Sequence, residues 1–161
     1  MAAEAFDFRP LEAVYPEWEA QFRSGDRPGE FGFRPGQQTS IYGPTDMLIS
    51  RVTIGQDAMS ETEREAWAAT INRFQRRKSG WYTRRHNFHF RSHTAAYAVA
   101  ALRLLGRPPA VPVQKALRIA RSPESTRQWL AGIPWSIIWP SSHIGAGLPA
   151  ILHMTGSAPE G

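Results

Sequence analysis

The chain has 161 residues, the size of one domain, and it contains no cysteine, which excludes disulfides, thiol catalysis and thiolate metal sites. The formal net charge of +5 is carried almost entirely by arginine, because Lys78 and Lys115 are the only lysines, and it permits an acidic partner without requiring one. No apolar run is long enough to span a bilayer, and the first ten residues lack the basic and then apolar pattern of a signal peptide. We therefore expect a cytoplasmic protein with no membrane contact.

Residues 1–40 are predicted to be an irregular N-terminal segment that holds at most one short helix. Proline and glycine recur throughout this segment, and both residues interrupt regular structure. Apolar side chains between Leu11 and Phe22 favour a short helix there. Beyond it, Phe31 and Phe33 are expected to anchor the loop on the body of the protein.

Two helices follow with clear start and stop signals. The first is predicted to begin near Pro44, which suits a first helical position because it has no N–H group, and to end at Gly55. The second opens with the capping box Ser60–Glu63 and carries an apolar stripe that includes Trp67. The apolar first helix is expected to lie inside and the amphipathic second one outside.

The rest of the chain continues the same alternation. His93–Leu105 is apolar almost all round and predicts a buried helix, since such helices are normally enclosed by others. A short amphipathic helix over Val113–Ala120 and a helix capped by Ser122 follow, and a final helix runs from Ser141 or Ser142 to Met154, kinked or begun by Pro149. The sequence thus predicts an all-α domain of inner and outer helices over residues 41–155, followed by a frayed tail at 156–161.

The segments SIYGPTDMLISRVTIG, HTAAYAVAALRLLGRPP and WPSSHIGAGLPAIL resemble the repeating helical hairpins of α/α-toroid proteins. That superfamily includes squalene-cyclase and prenyltransferase toroids, six-hairpin glycosidases and polysaccharide lyases. The start Tyr42-Gly43-Pro44-Thr45-Asp46 is similar to the Tyr-Gly-x-x-Asp helix start of a bacterial branch. A closed toroid has about twice the helices predicted here. The resemblance therefore implies an incomplete ring: a fragment, an open half-ring, or a half that closes by self-association.

The resemblance also implies that the N-terminal ends of the inner helices surround a cavity mouth. Catalytic candidates there are Asp46, Tyr42, His93 and His143. Candidate substrate-binding residues are Trp81, His86, His89, Tyr97, Trp135 and Trp139. Aromatic faces with a few polar groups are typical of a sugar-binding cleft.

The chemistry at these candidates is left open. Asp46 suits an acid, a base or a first-turn residue that favours the helix dipole, but glycoside hydrolysis normally needs a second carboxylate, and no inner helix start provides one. A histidine base with Tyr42 or Tyr97 and an arginine would suit polysaccharide β-elimination. The absence of DxDD and DDxxD motifs argues against terpene cyclase activity.

Neither a metal nor another cofactor is predicted. His89 and His93 have a spacing of four residues, which suits a metal on a helix, but a third histidine, His86 or His143, would have to approach through the tertiary fold. The favoured interpretation is polar cavity histidines. No nucleotide-binding motif is present.

The leading functional hypothesis is the binding or processing of a carbohydrate or another polyhydroxylated or acidic substrate. One alternative is a non-catalytic scaffold or dimerising half-ring. The other is single-stranded nucleic-acid binding through residues 76–91, where arginines interleave with aromatic residues. Whether the protein is an enzyme is left open.

Overall fold

The computed structural model describes residue 7 and residues 9–83 and 89–156. These residues form α-helices and three isolated β-bridges, without a β-sheet, so the all-α prediction is confirmed. The helices are α1 (Arg9–Ala20), α2 (Tyr42–Thr53), α3 (Glu61–Asn72), α4 (Arg91–Leu104), α5 (Gln114–Ala120), α6 (Pro123–Ala131) and α7 (Ile138–Met154). Within the described ranges, no helix is both long enough and apolar enough to cross a membrane.

Helix α1 confirms the short helix predicted in the N-terminal segment, and it is fastened to α2. The Tyr15 hydroxyl donates a hydrogen bond to the Met47 carbonyl at 3.3 Å, and the buried carboxylate of Glu19 pairs with Arg51. The following loop packs back through Phe31, which is only 1% exposed, as predicted. Phe33 does not anchor the loop in the same way: it is half exposed and only edges against the Tyr42 ring.

Helix α2 begins two residues before the predicted start at Pro44. The Ser40 hydroxyl accepts a hydrogen bond from the Gly43 N–H at 3.3 Å and so caps the earlier turn, while Pro44 occupies the third helical position, where an N–H is not required either. Gly43 lies against the backbone of Phe31 and leaves no space for a β-carbon. The early start also moves Asp46 beyond the first turn, so its interpretation as a first-turn acid is wrong.

Helix α3 has the predicted capping box. The Ser60 hydroxyl accepts a hydrogen bond from the Glu63 N–H, and the Glu63 carboxylate accepts one from the Ser60 N–H. Its buried face includes Trp67 and Ile71, and the Trp67 indole N–H donates to the Pro44 carbonyl at 3.0 Å. The cap and the apolar stripe together confirm this helix as predicted.

Helix α4 lies in the middle of the fold. Its most extensive contact is with α7, and it also packs on α2 and α3; α5 packs on α6 and α7. Helices α2, α4 and α7 therefore form a row, with α3 and α5 against it. The α4–α7 contact is very close, because an ideal β-carbon on Gly147 would lie 2.6 Å from the carbonyl carbon of Ser92.

The predicted starts of α4 and α7 also differ from the structure. α4 begins at Arg91 rather than His93, and α7 begins at Ile138 rather than at Ser141 or Ser142. Ser141 cannot serve as the cap because it is buried and its hydroxyl donates to the Pro134 carbonyl. Pro149 is inside α7, which continues past it to Met154. The predicted tail at 156–161 lies, after Gly156, outside the described residues.

Candidate functional site

Six predicted site residues meet where α2, α4 and α7 begin, and we call them the histidine–aromatic cluster. Tyr42 is the first residue of α2, His93 and Tyr97 are one turn apart on α4, and Trp139 and His143 are one turn apart on α7. The sixth member is His89, which precedes α4. It therefore lies outside the helix, so the four-residue spacing of His89 and His93 does not place them on one helix face.

The rings of this cluster are in direct contact. His93 stacks on His89 and on Tyr97, each with a centroid distance of 4.7 Å, and its ring centroid lies 4.5 Å from that of His143. Trp139 packs against His143 at 4.4 Å, and Tyr42 lies 5.0 Å from His89. Residues from α2, the segment before α4, α4 and α7 therefore form one continuous surface of rings.

Hydrogen bonds fix the orientation of two of the imidazoles. Nδ1 of His143 lies 2.7 Å from the Trp139 carbonyl, which only accepts, so Nδ1 carries a proton, and in the neutral imidazole Nε2 keeps its lone pair. The Thr94 hydroxyl donates to the Phe90 carbonyl, and the Tyr42 hydroxyl lies 3.1 Å from Thr94 Oγ1 and 3.0 Å from Nδ1 of His93. All three bonds form together when Tyr42 donates to Thr94 and accepts from His93 Nδ1–H. This arrangement also leaves Nε2 of His93 with its lone pair.

Among the described residues, the three histidines of the cluster are the group that offers a metal-binding geometry. One ligand nitrogen from each of His89, His93 and His143 lies within 4.8 Å of the other two. Burial, and the repulsion that a charged His143 or His89 would exert, lower the pKa of His93 to about 4. Burial and His143 lower the pKa of His89 as well. These two imidazoles are therefore neutral at pH 7, the form that binds metals.

Asp46 lies one turn after Tyr42 on α2, but it is not one of the side chains that converge with the three histidines. Burial raises the pKa of its carboxyl group to about 6. A carboxyl group with this pKa gains and loses its proton near neutral pH. It is therefore better suited to act as a general acid or base than as a permanently charged residue. Asp46 therefore remains a candidate proton-transfer residue beside the cluster.

The structure places two other predicted binding residues away from the cluster. Trp81 is 7% exposed and belongs to the hydrophobic core. Trp135 lies over Gly145 of α7, and its indole N–H donates to the Leu130 carbonyl at 2.9 Å. His86 lies outside the described residues. Most of the Trp81 ring is used in core packing, and Trp81 presents no stacking face to the histidine–aromatic cluster.

Of the stretch 76–91, the structure describes residues 76–83 and 89–91, and these form no aromatic platform of the kind that the nucleic-acid hypothesis expects. Trp81 and Tyr82 are both buried in the core. Arg84, Arg85 and Phe88 of that stretch lie outside the described residues. The side chains that the structure does describe thus give no run of exposed aromatic faces between the arginines.

Sequence reasoning missed two small polar residues that support the cluster. Thr94 is fully buried and links Tyr42 to the Phe90 carbonyl, and Ser92 donates a hydrogen bond to the His143 carbonyl at 3.4 Å. For Thr94 a sequence signal existed: it is a polar residue inside an otherwise apolar helix. A buried hydroxyl group needs a hydrogen-bond partner, so such a residue indicates a polar contact within the core.

The described fold and site define an all-α domain with a histidine–aromatic cluster at the junction of three helix starts. The chain matches no family model, and no curated protein or solved structure shows significant similarity to it.

Proposed function

We propose that this protein binds a divalent transition-metal ion, with zinc as the first candidate, through His89, His93 and His143. The convergence of three imidazole nitrogens from two helices and a connecting segment supports this function. Imidazole is a good ligand for zinc, copper, nickel and iron. Three histidines with no thiolate leave a coordination position for water or a ligand, as in catalytic rather than structural zinc sites.

The distances in the cluster need only a small adjustment. Nitrogen ligands about 2.1 Å from a tetrahedral ion lie about 3.4 Å from one another, whereas the three nitrogens here lie within 4.8 Å of one another. Metal binding therefore requires a rotation of these half-buried side chains that brings the nitrogens closer together. The Trp139 carbonyl and the Tyr42 hydroxyl bind the Nδ1 atoms of His143 and His93 and so act as the outer partners that orient metal-binding histidines.

A zinc titration of the purified chain tests this proposal, with a chromophoric chelator as competitor and any affinity tag removed. We expect one zinc ion per chain. His143→Ala should weaken binding by at least about 100-fold, and Tyr42→Phe by about 10-fold, because it removes an outer partner.

His153→Ala is the matched control, because His153 is an exposed histidine on the same helix and lies outside the cluster. It should bind zinc as the unchanged protein does. Equal affinities for His143→Ala and His153→Ala, or no stoichiometric binding at all, would rule out the three-histidine site. Circular dichroism of each variant shows whether the helices are retained.

A hydroxylated ligand such as a saccharide is a second candidate occupant of the same surface. Trp139 is 55% exposed and Tyr97 is 37% exposed, and both rings contact the histidines. Exposed aromatic faces beside polar groups are typical of sugar recognition. This observation supports the carbohydrate hypothesis, in which the metal ion would be an additional contact for the hydroxyl oxygens of the saccharide.

Intrinsic tryptophan fluorescence with neutral and acidic oligosaccharides tests this second candidate, both with zinc and with a chelator. Trp139→Ala should abolish saccharide binding, whereas Trp135→Ala, with a similar exposure of 54%, should retain it. If the two variants lose affinity equally, or if no saccharide binds, Trp139 is not a sugar-stacking residue. The zinc titration stands independently of that result.

A further inference from the structure

A second cleft lies on the other side of the first turn of α4 from the histidine–aromatic cluster. It has a volume of about 350 Å³, within the range of small-molecule sites. Arg91 and Ser92, at the start of α4, form part of its wall, while the neighbouring His93 points to the cluster. None of the three proposed metal ligands lines it, so the cleft is separate from the metal site.

The charged side chains of this cleft are both cationic. Arg91 from α4 and Lys115 from α5 line it, and none of its other described lining residues is acidic. The ion pairs of the described residues involve neither of these two side chains. Two uncompensated positive charges at one cleft favour a negatively charged ligand.

The charge of the surrounding sequence also favours a negatively charged ligand. Between residues 66 and 159 the chain has 13 lysines and arginines and a single acidic residue, Glu124. That carboxylate pairs with Arg127 on α6. The part of the sequence that supplies the cleft therefore carries an excess of positive charge, which favours anions.

The remaining wall of the cleft is apolar and aromatic. Trp81 and Trp129 contribute indole rings, and Ile119 of α5 contributes an aliphatic surface. Indole and aliphatic groups gain free energy by burying the apolar body of a ligand. A small inorganic anion has no apolar part that could pack against this surface.

We propose that this cleft binds a small amphiphilic anion, with a carboxylate, phosphate or sulfonate group held by Arg91 and Lys115 and an apolar ring or short alkyl chain held by Trp81 and Trp129. The Ser92 hydroxyl is a further polar group at the cleft. This site goes beyond the proposed metal function, because it requires none of the three histidines.

Competition against the fluorescent probe anilinonaphthalene sulfonate tests the site, in the presence of a metal chelator. Octanoate should displace the probe, and octanamide, which has the same chain without the charge, should displace it at least about 10-fold less well. The double variant Arg91→Gln/Lys115→Gln should lose octanoate affinity by about 10-fold or more, since each charge-assisted bond is lost. Arg118→Gln, an exposed arginine on α5 outside the cleft, should keep it.

Several results would overturn this assignment. Equal displacement by octanoate and octanamide would leave only apolar adsorption. Unchanged affinity in the double variant would rule out the cationic head-group site, and tighter displacement by a single-stranded oligonucleotide than by octanoate would assign the positive surface to nucleic acid.

Two further variants keep the test independent of the double variant and of the metal site. Ile119→Trp fills the cleft and should block binding of the probe, so it tests the cleft even if the double variant folds poorly. His143→Ala should bind octanoate normally, so that failure of the metal site leaves this test intact.

Discussion

Replacing Gly147 with alanine should destabilise the protein by about 3 kcal/mol, at the upper end of the cost of overpacking a core. An added β-carbon would lie 2.6 Å from the Ser92 carbonyl carbon, 2.7 Å from its Cβ and 2.8 Å from its carbonyl oxygen. Backbone atoms cannot rotate away as a flexible side chain does. Helix α7 must therefore move off α4, its most extensive partner.

Urea unfolding followed by circular dichroism measures this effect, and Gly145→Ala on the same helix is the matched control. At Gly145 the nearest atom to an added β-carbon is the ring edge of the half-exposed Trp135, at 3.1 Å. That side chain can shift, and alanine favours a helix over glycine by about 1 kcal/mol. Gly145→Ala should be neutral or stabilising. If both variants unfold at the same urea concentration, the close α4–α7 contact is not a feature of the protein in solution.

Gly147→Ala should also weaken zinc binding, although it removes no ligand. His143 lies one turn before Gly147, so a shift of α7 changes the distance between His143 and His93. Binding sites lose affinity when ligands move by as little as about 1 Å. The zinc titration described for His143→Ala measures this loss in the fraction of Gly147→Ala that remains folded.

Breaking the ion pair between Glu19 and Arg51 should have the second large effect. Arg51 Nε and Nη2 donate to the two carboxylate oxygens of Glu19, both at 2.5 Å, and the guanidinium lies 5.1 Å from the centre of the Trp67 ring. Glu19 is 4% exposed. Arg51→Met should cost about 3 kcal/mol of unfolding free energy, because among the described ion pairs of this buried carboxylate it removes the closer one and leaves the more distant pair with Arg23.

A double variant separates the loss of the pair from the loss of packing. Glu19→Met/Arg51→Met should recover most of the stability, since apolar residues often replace a buried ion pair without net cost. Arg127→Met is the surface control: its pair with Glu124 on α6 is exposed, and it should change stability by less than about 0.5 kcal/mol. Equal effects of Arg51→Met and Arg127→Met in urea unfolding would show that Glu19 is not buried in solution.

Helices with strong local signals were predicted well from the sequence. The Ser60–Glu63 capping box and the Ser122 cap are both present, because each cap depends on residues only a few positions apart. Starts determined by distant contacts were predicted less well. Ser141 resembles a cap in sequence, but its hydroxyl bonds the Pro134 carbonyl instead. The closure of a toroid ring stays a prediction.

The candidate site was predicted in part for a similar reason. The resemblance to helical hairpins was enough to group Tyr42, His93 and His143, and in the structure each lies within the first two turns of a helix in the row. It was not enough to place Trp81, since periodicity does not show whether an aromatic residue in a connection is used by the core. The convergence of His143 with His89 and His93 depends on the close approach of α7 to α4, which no local pattern encodes.

The pairing of α4 with α7 has a consequence for how the chain folds as it is synthesised. Ala95, Val99 and Leu102 of α4 are fully buried, and the most extensive cover of this helix is α7, which comes last among the described elements. While a ribosome makes the chain, α4 emerges well before its main cover exists. Its apolar surface therefore lacks its main cover during that interval, the condition in which folding intermediates are prone to aggregate, and the core is completed only when α7 has emerged.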